Sequence, residues 1–136
     1  MLYGVPPLQL QAGGTIYPCR IVVLSTVTDN TVIQATGNTA ASPNIGVSAP
    51  STRRAPGTGD DDGSAAHANE NILVFGPGSL AQLELSGTST RGDCLTSDSN
   101  GRGTTTTTAT QTITAFCLQS GGANDIVQVL VNVFHY

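Results

Sequence analysis

The chain has 136 residues, 38% of them hydrophobic, and its five basic residues are opposed by nine acids, for a formal charge of −4. That length suits one domain with a single sizeable core. The five bases are all Arg and are scattered, so the clustered positive field that nucleic acid requires is missing; no apolar run approaches the ~18 residues of a membrane span, and neither partner is expected.

Sixteen Gly, seven Pro and a wealth of Thr and Val favour strands and turns over helices. The first base is Arg20, so the start of the chain lacks the charged region of a signal peptide and reads as a soluble, unprocessed segment. Residues 1–15 set Pro6-Pro7 and Gly13-Gly14 among Leu2, Tyr3, Val5, Leu8 and Leu10. Pro-Pro imposes extended geometry, and the apolar side chains would be costly in water, so this stretch is expected to be an arm docking on a neighbour through Leu2, Tyr3, Val5, Pro6, Pro7, Leu8 and Leu10.

Arg20 to Thr26 and Thr31 to Thr36 are β-branched runs around a turn at Thr28, Asp29 and Asn30, and they predict a hairpin. Ile45-Gly46-Val47 predicts a short strand. The segment 48–71 then mixes Pro, Gly and clusters of both charges without periodicity, which predicts a long surface loop. Ile72 to Phe75 restarts the strand pattern, and Gly76-Pro77-Gly78 turns it. In the next run Leu80, Gln82 and Glu84 alternate with Ala81, Leu83 and Leu85, so one face should be buried.

Cys94 to Thr96 predicts a brief strand, and Asn100-Gly101 predicts a type I′ turn leading into the Thr-rich stretch 102–109, an exposed or interface strand. Ile113 to Leu118 and Ile126 to Phe134 are the most apolar runs and should be central. In the last one, Ile126, Gln128, Leu130, Asn132 and Phe134 take one face, and four Val take the other, buried one. These runs amount to about eight to nine short strands with no amphipathic helix. The fold class is all-β, a small β-barrel or sandwich: one domain over residues 16–136 carrying the 48–71 loop, preceded by the arm.

Groupings that carry chemistry are weak. Cys19, Cys94 and Cys117 are far apart and read as free thiols. Asp60-Asp61-Asp62 lacks the alternating ligands of a calcium loop, and His67 and His135 belong to no transition-metal spacing. No Gly-x-Ser-x-Gly elbow is present, and Glu70 and Glu84 have no Trp platform beside them for a sugar. The expectation is a protein with no catalytic site, no metal and no cofactor. Arg91-Gly92-Asp93 spells an adhesion tripeptide, but Gly and Asp are also what a tight turn needs. A low charge count further suggests surfaces covered by partners.

Taken in order, Ile45-Gly46-Val47, Gly92-Asp93-Cys94-Leu95, Ser97-Asp98-Ser99-Asn100-Gly101-Arg102, Ala115-Phe116-Cys117-Leu118 and Asn124-Asp125-Ile126-Val127-Gln128-Val129-Leu130 resemble the capsid decoration, or cement, proteins of tailed bacteriophages. The pattern spans about two thirds of the chain, with Asn124 standing where the family usually has Gly. The resemblance implies a virion protein on the outer surface of the head, commonly a homotrimer, that binds the major capsid protein and braces neighbouring subunits. The alternative is a tail-fibre or host-surface adhesion module using the 48–71 loop and Arg91-Gly92-Asp93.

Overall fold

The computed structural model describes residues 6–37, 44–52, 63–106 and 111–135, and these form ten strands in two sheets. The first sheet contains β1 (Leu8–Ala12), β2 (Ile21–Leu24), β3 (Thr31–Gln34), β4 (Asn44–Ser48) and β5 (Asn71–Phe75) and closes into a barrel in the order β1-β3-β2-β4-β5. The second contains β6 (Leu80–Glu84), β7 (Cys94–Ser97), β8 (Gly103–Thr105), β9 (Thr112–Cys117) and β10 (Ile126–His135), in the order β6-β10-β9-β7-β8. All pairs are antiparallel except β1 with β3. An isolated bridge between Leu85 and Gly103 brings the two ends of the second sheet together, so that sheet curls.

Two cores follow from strand alternation. Val22, Val32, Ile72 and Val74 point into the barrel and meet Ala12, Ile16 and Ala66. Their neighbours Ile21, Val23 and Val47 point out of the barrel wall and pack on Leu83, Leu85, Leu95, Ala115, Val127, Val129 and Val131 of the curled sheet. This is why β2 reads Ile-Val-Val with no polar break: both of its faces are buried. Each fully buried Leu or Val contributes about 2 kcal/mol, and β2 and β4 contribute to both cores. Gly46 sits where β4 crosses β5 so closely that a Cβ would run into the carbonyl oxygen of Phe75.

The structure alters four expectations. Residues 8–12 are a barrel strand rather than part of an extended arm. Leu8 to Gln11 pair with Asn71 to Val74, and Gln11 and Ala12 with Thr31 and Val32, because the barrel needs β1 to close it. Residues 1–5 lie outside the described residues. Second, Asn100-Gly101 does not form a two-residue type I′ turn: Gly101 has φ +78° but Asn100 is absent from the residues at positive φ. The hairpin pairs Ser97 with Gly103, and the Asp98 carboxylate organises the intervening loop, accepting the N–H groups of Asn100 and Arg102 at 2.8 Å each. That extra acceptor makes a wider loop stable.

Third, the 48–71 stretch is not loop throughout. Ser48 completes β4, and of residues 63–70 Ser64 and Ala66 are buried, Ala66 being bridged to Ile16. Residues 53–62, which hold Asp60, Asp61 and Asp62, lie outside the described residues. Fourth, among the described residues of the Thr-rich stretch the strand covers Gly103–Thr105 and Thr106 is buried rather than exposed, while residues 107–109 lie outside the described residues. The expected Thr31 hairpin, the buried Ala81/Leu83/Leu85 face and the central place of β9 and β10 are as read from periodicity.

Candidate interaction surface

The face of the curled sheet turned away from the barrel is where the side chains that alternation leaves over are collected. Leu130 of β10 stands opposite Leu80 of β6 on one side and Phe116 of β9 on the other, and Phe116 stands opposite Cys94 of β7. Opposite residues share a face, so four strands lay an apolar row across the sheet. The Phe134 ring lies 5.6 Å from the Phe116 ring, centroid to centroid and tilted by 31°. In the next row Gln82 faces Gln128, whose carbonyl accepts the Leu118 N–H at 3.0 Å. Leu80 is 56% exposed, Ile126 53% and Leu118 45%.

Among the described residues of these rows the charged side chain is Glu84, opposite Ile126, and it is occupied elsewhere. Arg20 reaches it from the barrel with Nη2 at 3.3 Å, and Arg102 approaches to 4.0 Å. The same Arg20 donates through Nη1 to the Asn100 carbonyl at 2.9 Å and lies 5.5 Å over the Tyr17 ring. This cluster ties barrel, sheet and the β7–β8 loop together at one end of the seam. Burial, reinforced by the charge of Glu84 and partly offset by Arg20, pushes the neighbouring Cys19 thiol up to about 11. Burial likewise raises Cys117, so both thiols are neutral packing groups, and all three cysteines are free.

At the other end the seam opens. Pro50, Phe75, Leu80, Ala81, Gln82 and Gln128 line a groove of about 240 Å³. It runs beside an open strand edge, which the hydrogen bonds define. Leu85 N–H donates to the Asp125 carbonyl at 2.8 Å and Val131 N–H to the Ser79 carbonyl at 2.9 Å. Odd-numbered residues of β6 are therefore the ones bonded to β10, and the N–H and C=O groups of Leu80 and Gln82 point away from it. Glu84 N–H, of the same parity, donates to the Cys19 carbonyl at 3.0 Å and closes the edge there.

Of the residues expected to make contacts, those that are described lie in and just before β1. Leu2, Tyr3 and Val5 fall outside the described residues; Pro6 and Pro7 lead exposed into β1; Leu8 is partly exposed against Gly76; and Leu10 packs on the barrel core. Arg91-Gly92-Asp93 is a turn. Gly92 has φ +93°, and the Asp93 carboxylate accepts the Thr90 N–H at 2.8 Å and the Thr105 hydroxyl at 3.3 Å. Sequence reading separated the two faces of β10 but did not single out Leu80, Leu118 and Ile126. The available signal was an apolar residue on the polar side of each alternation.

In architecture this is a small all-β barrel-and-sheet unit whose free sheet face is apolar and nearly uncharged. No protein-family model and no curated protein sequence matches the chain. Among solved structures it is similar in fold to the N base of head fiber gp8.5 in bacteriophage phi29, with a TM-score of 0.55 and 11% identity over 93% of this chain and 92% of that one.

Proposed function

We propose that the protein is a structural component of a phage head, bound to the outer surface of the capsid as a decoration protein. In this reading it contacts the major capsid protein, stabilises contacts between capsid subunits and assembles as a homotrimer. The observation that carries it is the likeness in fold to a head-fiber base along nearly the whole of both chains. The ordered turn and strand motifs from Ile45 to Leu130 support it from the sequence side. The mechanism is burial of surface. The Leu80, Leu118 and Ile126 face offers apolar area with side-chain amides for lateral hydrogen bonds and almost no charge to desolvate. Joining copies raises the effective concentration of each weak contact, so an assembled protein dissociates slowly.

The test is co-sedimentation of purified protein with heads that lack it. Saturable binding is expected, with Leu118→Asp and Ile126→Asp weakening it by about tenfold or more, because each places an unpaired charge in the contact. Both positions are solvent-exposed, so thermal stability should barely change. Heads that fail to bind the intact protein at any concentration would overturn the reading.

A further inference from the structure

We infer that the open edge of β6 and the groove beside it receive the N-terminal residues 1–5 of a second copy of this chain, added as an extra strand. The edge is short and chemically specific. The Leu80 and Gln82 backbone groups point away from β10, between the turn at Ser79 and the Glu84 N–H already bonded to Cys19. An extended peptide satisfies such groups with its own backbone, and alternate side chains enter the adjoining apolar groove. Here that groove is walled by Pro50 and Phe75.

The occupant follows from where the described chain begins. Leu8 stands opposite Val74 and packs against Gly76, so Pro6 emerges beside the end of β5, next to Phe75 of the groove wall. The five residues before it, Met1-Leu2-Tyr3-Gly4-Val5, are apolar apart from the phenol hydroxyl and carry no side-chain charge. They suit a groove whose lining is likewise uncharged. A second copy, rather than the chain's own edge, follows from direction. β1 runs antiparallel to β5, so the chain traced back through Pro6-Pro7 leaves the barrel in the direction β5 is heading. The turn closed by Ser79 N–H to the Gly76 carbonyl reverses the main chain into β6 just there. Following β6 in the same molecule would require a matching reversal at Pro6-Pro7, which proline geometry holds extended.

This locates the self-assembly invoked in the proposed function, and it is tested without heads. Light scattering on the full chain should show an assembly that becomes monomeric on deletion of residues 1–5 and with Gln82→Pro. Proline there removes an N–H that β10 does not use, so the sheet should survive; unchanged circular dichroism and melting temperature check this. A peptide of residues 1–7 should bind the truncated protein, and Gln82→Pro should weaken that binding by about tenfold or more. If Gln82→Pro unfolds the chain, Leu80→Asp, which charges the groove at a side chain that is 56% exposed, serves instead. A full chain that is monomeric, or an assembly that persists after deletion of residues 1–5, overturns the inference. Loss of head binding with assembly intact would count against the proposed function alone.

Discussion

Cys19 is held at φ +60°, in the left-handed region, with its thiol buried between barrel and sheet beside Glu84 and Arg20. An unfolded chain ionises this thiol near 9, whereas the folded one does so at about 11. Stability is therefore undiminished below pH 9 and falls as pH rises from 9 toward 11, where the unfolded state alone loses the proton. One such group costs on the order of 1 kcal/mol per pH unit in that window. Cys117, raised by burial as well, adds to the slope. Urea midpoints at pH 8 and pH 10.5 measure the loss, and Cys19→Ser should flatten it. Gly46 marks a different limit, because a Cβ there has no space against the Phe75 carbonyl. Gly46→Ala is expected to cost about 3 kcal/mol in urea unfolding, since backbone must move to admit the methyl group.

Among the elements, the β7–β8 hairpin shows how far local pattern reaches. The short run from Cys94 to Thr96, the consecutive Thr that follow and an Asn-Gly pair between them announced two strands and a turn, and both strands are present. The turn type was hidden because Asp98, Asn100 and Arg102 decide it jointly: the carboxylate takes two backbone N–H groups and the Arg102 Nε at 3.2 Å. Asp98→Ala is expected to cost about 1 to 2 kcal/mol and to leave the Arg102 Nε without its carboxylate, whereas Asn100→Ala should cost under ~1 kcal/mol, because the loop uses the Asn100 backbone. Thermal melts of the two variants distinguish this from a type I′ turn, which would rank them in the opposite order. β1 was missed as a barrel strand for a similar reason. Leu-Gln-Leu-Gln alternates as a strand should, but its partners Thr31 and Asn71 lie far along the chain, and pairing at that distance leaves no local trace. The free face of β10 was legible in Ile126 and Leu130; that Leu80 and Phe116 align with Leu130 depends on register between strands remote in sequence.

At the scale of the molecule, the barrel and the curled sheet each have a strand order of their own, yet they share one core. Ile21, Val23 and Val47 belong to the barrel wall while packing on Leu83 and Val129 of the sheet, and Arg20 fastens the same seam to Glu84 at 3.3 Å. If the barrel opened alone, the sheet would expose its whole inner face, because that face has the barrel wall as its cover. The two halves should therefore unfold as one cooperative unit. Val74→Ala tests this from inside the barrel, at a side chain that belongs to the barrel core rather than the shared one. It should cost about 2 kcal/mol, and native-state hydrogen exchange should show the slowest amides of β10 losing protection by the same increment as those of β5. Protection lost in β5 while β10 is unchanged would mean that the barrel opens independently. In that case the seam would be a hinge between two bodies instead of the floor of a rigid binding face.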